Sequence, residues 1–316
     1  METIISVNNA RIKDAANLKQ KKFRTENGAF IAEGLRAVEE AVQFGIVTDL
    51  FFTVAEHERL DAVKKAAEEK GARLFQVDDK VMAKLSDTKT PQGILAVVRI
   101  PACSLQRLKP GVFQKQIASG KTSVLQRGNN NEKLSAAAQK VFGSDNMSER
   151  DIRIGSLLSE PDNNAPVVIL DRIQDPGNLG TIIRTADAVG ALGIILLEGC
   201  ADAYSPKVVR ASMGSLFHLP VVQDVTAEEA LTWCYRNGYE PAATALNHAQ
   251  NVYKADLSKK MAFILGNEAN GVAEELQAAA ETRLFIPMAG QAESMNVAMA
   301  AGIILFEGLR QRRFFR

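Results

Sequence analysis

Between Pro166 and Gly199 the chain reads PVVILDRIQDPGNLGTIIRTADAVGALGIILLEG. An unbroken apolar run, 167–170, gives way to a polar loop, 171–180. A helical pattern follows from about 179 to 189, stopped by Gly190, and then a second apolar run, 193–197. Strands without polar alternation are buried on both faces, and two of them joined by a helix lie parallel. This stretch therefore requires a parallel sheet covered by helices on both sides. In such sheets ligands bind beyond the carboxyl ends of the strands, where the loop 171–180 must lie. That loop holds Gly177 and Gly180 but lacks the G-x-G-x-x-G spacing, so a nicotinamide enzyme is poorly supported. Asn178 and Arg184 stand out at the start of its helix, although Arg184 could also pair with Asp175 or Asp187 on the helix surface.

The strand–loop pattern recurs twice. MAFILGNEANGVAEELQAAA gives a strand 261–265, a loop 266–271 and a helix 272–280, followed by a short strand 284–286. Then IPMAGQAESMNVAMAAGIILFEGL turns at Pro287, carries a polar cluster and enters an apolar, small-residue run at Val297, for which Ser294 or Asn296 is the cap. That run is about ten residues, where a bilayer span needs about 20. Loops at one end of a sheet converge, so 175–180, 266–271 and 287–296 form one candidate pocket. Its chemistry is polar and holds no His or Cys: Asn178, Arg184, Glu268, Ser294, Asn296. That argues against a hydrolase triad and a zinc enzyme and suits a reaction driven by positioning. Between these stretches, Lys207 and Arg210 follow Ser205-Pro206 as phosphate contacts or as plain surface charge.

Upstream, strands and helices alternate over about 90 residues, the signature of a small α/β domain with helices on both faces of its sheet. Residues 8–24 read as one helix with a basic face. Arg11, Lys13, Lys19, Lys21, Lys22 and Arg24 against Glu2 and Asp14 leave an excess of four charges over residues 1–24, which suits a polyanionic partner or an ordinary solvated helix face. The polar loop Lys89-Thr90-Pro91-Gln92-Gly93 would share that face. Residues 101–165 are rich in Pro, Gly and Asn and read as a loosely ordered insert between domains at 1–100 and 166–316. With a net charge of +1, the whole molecule is not a polycation. Three cysteines (103, 200, 234) and three histidines (57, 218, 248), without ligand spacing, argue against a metal and for a reducing cytoplasm. The N-terminus has no signal-type apolar segment, and no export is expected.

Three of these stretches resemble the three motifs of the SpoU (TrmH-type) branch of the SPOUT RNA 2′-O-ribose methyltransferases: DPGNLGTIIRTADAVGA, ILGNEANGV and IPMAGQAESMNVAMAAGIILFE, in the family's order. KKFRTENGAFIAEGLRAVEEAV is similar to the family's RNA substrate-binding domain. The resemblance implies a small L30e-like RNA-binding domain followed by a parallel-sheet α/β domain with a deep trefoil knot. It implies S-adenosylmethionine held by Gly266, Ile286 and Met295, largely through backbone groups. Arg184 takes the place of the catalytic arginine, and Asn178, Glu268, Ser294 and Asn296 those of its polar partners. It implies a homodimer acting on RNA, with ribosomal RNA of the large subunit expected ahead of transfer RNA, and Arg11, Lys13, Lys21, Lys22 and Arg24 as phosphate contacts. Two positions depart from the usual motifs: Met295 stands for a Leu, and Ala269 for a Gly whose φ could be positive. A non-catalytic RNA-binding protein of the same fold is the rival reading.

Overall fold

The computed structural model describes residues 2–54, 58–109, 162–267, 269–291 and 294–314. They build two sheets. The first contains β1 (Glu2–Ile4), β2 (Ala29–Glu33), β3 (Val47–Phe52), β4 (Arg73–Val77) and β5 (Ile94–Arg99), ordered β1-β4-β3-β5-β2. β1, β4 and β3 are parallel, and β5 runs antiparallel to β3 and β2. Successive side chains point to opposite faces. Ile31, Phe51, Phe75, Leu95 and Val97 meet α1 (Ala10–Asn17) and α5 (Asp79–Leu85). Phe30, Leu50, Phe52, Ile94 and Val98 meet α3 (Leu35–Phe44) and α4 (Glu58–Glu69).

The helix expected over 8–24 is two helices, α1 and α2 (Lys21–Asn27). Leu18 keeps the apolar spacing and is buried, but the chain tightens there into short turns, Leu18 N–H to Ala15 O and Lys19 N–H to Ala16 O. The carbonyls of Leu18 and Lys19 are thereby released from the helix ladder, and the Arg24 guanidinium donates to both at 2.7 Å.

The second sheet is parallel throughout: β6 (Val167–Asp171), β7 (Gly193–Leu197), β8 (Val221–Val225), β9 (Glu240–Thr244), β10 (Gln250–Asn251), β11 (Met261–Gly266) and β12 (Thr282–Phe285). Their order is β10-β12-β9-β11-β6-β7-β8, so β11 enters between two strands laid down earlier. One face carries α6 (Pro176–Ala188), α7 (Pro206–Ala211) and α10 (Val297–Arg313); the other carries α8 (Ala227–Asn237) and α9 (Glu274–Ala279). Among the described residues, no helix is long and apolar enough to cross a membrane.

The core does not stop at the lobe boundary. Phe30 lies 5.0 Å from the Tyr204 ring and 5.9 Å from Phe217, within one apolar cluster that spans both sheets. Residues 101–109, expected to begin the insert, instead pack on the second sheet: Leu108 is buried against it, and Trp233 Nε1 donates to Leu105 O at 2.8 Å. Where the chain returns, Asp162 pairs with Arg312 at 3.0 Å. The intervening part of the expected insert, 110–161, lies outside the described residues.

Candidate active site

The carboxyl ends of β9, β11 and β12 open into a cavity of about 670 Å³. That falls in the range of small-molecule sites, about 300–1,000 Å³. Three segments wall it: 244–247 after β9, 265–267 and 269–272 around the end of β11, and 284–286 at β12; Met288, Ser294, Met295, Val297 and Ala300 close it. Gly266, Ile286 and Met295, named from sequence as cofactor contacts, all line it. So does Ser294, with its side chain exposed.

Glycine at 266 is a steric necessity. A β-carbon there would lie 2.1 Å from the Gly271 carbonyl carbon and from Val272 N. The loop folds back that closely because Asn267 organises it: its Oδ1 accepts the Ala269 N–H at 2.9 Å, and its carbonyl accepts the Gly271 N–H at 2.8 Å. Its Nδ2 donates to Arg172 O at 3.0 Å, tying this loop to the end of β6. Among the described residues of this turn, Gly271 has a positive φ (65). Glu268 lies outside the described residues.

The first and third motifs meet directly. Asn296 caps α10 by accepting the Ala298 and Met299 N–H groups at 2.9 and 3.3 Å, and its Nδ2 donates to Asn178 Oδ1 at 2.9 Å. Asn178 is held in turn at the start of α6, where Asp175 accepts its backbone N–H at 2.8 Å. Arg184 is exposed on α6, two turns further, and is not part of the cavity wall. Neither of its expected alternative partners, Asp175 or Asp187, pairs with it: Lys207 lies 3.8 Å from Asp175 and His218 2.8 Å from Asp187. Among the described residues, no carboxylate pairs with the guanidinium.

The expected phosphate contacts fall into two groups. Lys13, Lys21 and Lys22 are exposed, with Lys21 and Lys22 in loose pairs to Asp224 at 3.5 Å and Glu26 at 3.9 Å. Arg11 bonds Asp49 at 3.0 Å and lies over the Phe75 ring at 4.5 Å. Arg24 departs from the expectation: it is 4% exposed and donates to Asp202 of the second lobe at 2.8 Å. It is a structural cation, and its remaining donors are taken by the Leu18 and Lys19 carbonyls.

Sequence reasoning missed the 244–247 wall and the buried Asp171. Asp171 accepts from Arg172 at 2.8 and 2.9 Å and from the Ala273 N–H at 2.8 Å, so it joins the ends of the first and second motifs. An acidic residue ending an otherwise apolar strand was the available signal. Burial pushes the Cys200 thiol up to about 11 and the Cys234 thiol up to about 12, so neither offers a thiolate near neutral pH. No cluster of His, Cys, Asp or Glu suited to a metal occurs among the described residues.

The described wall of the cavity contains no charged side chain. It offers apolar surface (Leu265, Val272, Ile286, Met295), amides (Asn267, Asn270) and closely approachable backbone, a donor set that fits an adenosine and does not repel a sulfonium. Comparison with known proteins shows that this fold and cavity belong to an RNA 2′-O-ribose methyltransferase that uses S-adenosylmethionine. Residues 165–306 match the SpoU rRNA Methylase family and residues 9–96 the MRM3-like substrate binding domain. The 23S rRNA (guanosine(2553)-2'-O)-methyltransferase RlmP of Bacillus subtilis is 31% identical over 307 residues, 97% of this chain and 98% of that protein. Human mitochondrial rRNA methyltransferase 3 is 27% identical, over 94% of this chain and 71% of that one. The AdoMet-bound rRNA methyltransferase of Sinorhizobium meliloti superposes with a TM-score of 0.74 at 29% identity, covering 98% of this chain and 97% of that one. The chain belongs to the SpoU rRNA methylase family.

Proposed function

We propose that the protein methylates a ribose 2′-hydroxyl of large-subunit ribosomal RNA, working as a homodimer in the cytoplasm. The observation that carries the reading of the site is the Asn296–Asn178 hydrogen bond, which joins the edge of the cavity to the helix bearing Arg184. When bound, S-adenosylmethionine supplies a methyl group activated by its sulfonium. Gly266, Ile286 and Met295 form its slot. A guanidinium remains protonated in proteins, so Arg184 is assigned as an electrostatic group and not as a base. It holds a phosphate of the target nucleotide and stabilises the charge developing on the attacking oxygen, while that phosphate or water accepts the proton. Asn178, Ser294 and Asn296 orient ribose and arginine, with Glu268 as a further partner.

Ribosomal RNA is favoured over transfer RNA by the substrates in the relatives' names and by the match to an MRM3-like substrate binding domain. Residues 1–100 are the RNA-binding domain, of L30e-like type, and 166–316 the catalytic domain. The insertion of β11 between β9 and β6, together with the close backbone approach at Gly266, supports threading of the chain after Ile286 as a trefoil knot. A second copy has an apolar face to dock on, since Met299 and Phe306 on α10 are 64% and 50% exposed. The test is transfer of labelled methyl to total RNA, followed by mapping of the modified nucleotide. Arg184→Ala should abolish transfer while S-adenosylmethionine still binds; normal turnover would remove Arg184 from the mechanism. Label confined to transfer RNA would correct the substrate, and failure to bind the cofactor would favour the non-catalytic reading.

A further inference from the structure

Helix α7 stands between the two lobes. On one side it touches α6, backbone to backbone. A β-carbon on Gly180 would lie 2.4 Å from the Ala211 β-carbon and 3.0 Å from its carbonyl carbon. On the other side the adjacent residue, Arg210, reaches the N-terminal lobe, where its guanidinium lies 2.9 Å from Asp87 Oδ2 and 3.7 Å from Glu33 Oε2.

Glu33 ends β2 and is buried. Its carboxylate accepts from the Ser86 hydroxyl, from Thr88 Oγ1 at 2.6 Å and from the Asp87 N–H at 3.1 Å. It thereby gathers one end of the loop 86–93. At the other end Gln92 Oε1 accepts the Leu35 N–H at 3.2 Å. The loop that carries the exposed Lys89 and Thr90 is therefore shaped within its own lobe, and Arg210 is what fastens it to α7. Glu33 keeps three donors without Arg210, so the loop's own shape does not depend on the guanidinium.

We propose that Arg210 is a positioning residue for methyl transfer. It fixes the loop 86–93 relative to α6, so that RNA held by the N-terminal lobe is presented in register with Arg184. This rests on the function proposed above. Lys207, which shares α7, faces Asp175 and takes no part in the fastening.

The test compares full-length wild type, Arg210→Ala and Arg210→Lys for labelled-methyl transfer to total RNA, with cofactor binding followed by calorimetry. For Arg210→Ala, kcat should fall about tenfold or more, because sub-ångström to ångström misplacement is costly in a positioned reaction. The KM for RNA and the affinity for S-adenosylmethionine should stay near wild type, and Arg210→Lys should recover much of kcat. An unchanged kcat in Arg210→Ala overturns the proposal. So does a raised KM with unchanged kcat and a salt slope shallower by about one, which would make Arg210 a direct phosphate ligand. If wild type transfers no methyl to any RNA while still binding the cofactor, the functional reading fails and the proposal falls with it.

Discussion

Gly266→Ala tests the architecture of the cofactor slot at one atom. The added β-carbon would sit 2.1 Å from the Gly271 carbonyl carbon and from Val272 N, where 3.4 Å is the lower edge of ordinary contact. Both neighbours are backbone, so no side chain can swing away. The 267–271 loop must retreat by about 1.3 Å, at a cost of about 1–3 kcal/mol in overpacking. The same retreat moves the segment that lines the cavity, and misplacement of about 1 Å costs about 100-fold in a positioned site. S-adenosylmethionine affinity should therefore drop about 100-fold, or about 2.8 kcal/mol. Calorimetry on protein shown to be folded by circular dichroism measures it. Two neighbouring glycines serve as controls. A β-carbon at Gly290 meets nothing within 4 Å and its φ is not positive, so Gly290→Ala should bind normally. Gly271 also has open space but sits at φ 65, so Gly271→Ala should lose about 1 kcal/mol of stability from left-handed strain. Wild-type affinity in Gly266→Ala would refute the reasoning, because it would mean that the loop gives way freely or lies off the cofactor.

Asn296→Asp keeps the cap of α10 but loses the donor to Asn178, so its melting temperature should hold while kcat drops; Asn296→Ala should lose both, the cap being worth about 1 kcal/mol. Wild-type activity in Asn296→Asp would show that the Asn296–Asn178 bond is idle. At the lobe boundary, the hydrogen bonds that the ring donates to Asp187 and then to Glu40 hold His218 above its ordinary 6.5, against burial. A raised folded-state value stabilises the protein fully below about 6.5 and fades as pH rises through that higher value. The stability difference between wild type and His218→Gln, from urea melts, should therefore be larger at pH 6 than at pH 8; a pH-independent difference would contradict it. Removing Lys13, Lys21 and Lys22 should flatten the salt dependence of RNA binding, by about 0.7–0.9 in slope for each phosphate left without its lysine. Arg24→Ala should instead lower the melting temperature, since breaking a buried pair costs about 3–5 kcal/mol; a change in salt slope alone would return Arg24 to the RNA face.

The parallel sheet was readable because its strands are short apolar runs punctuated by glycine, and the three loops because their Asn and Gly residues act on their own backbone within a few positions. Asn296 as cap is local in this sense. What could not be read depends on partners far along the chain. In sequence Arg24 belongs to the same basic run as Lys21 and Lys22; the carbonyls released by the break after α1 and Asp202, 178 residues away, make it structural. The break after α1 was hidden because Leu18 satisfies the helical period even while the turn tightens. β1 escaped notice because it is three residues long at a sheet edge, with only Ile4 buried. The wall at 244–247 is formed by strand order, since it adjoins the site only because β11 and β12 flank β9.

That strand order also bears on how the molecule comes into being. Until residues 261–266 have left the ribosome, β6 and β9 each present a bare edge of unsatisfied amides and carbonyls, with a gap one strand wide between them. Exposed edges of this kind invite pairing with other chains, and connections this distant in sequence close slowly. The nascent protein is therefore most vulnerable to aggregation during the interval in which β9 has been made and β11 has not. Delivery of one six-residue segment closes the gap, and β12 then covers the remaining edge of β9.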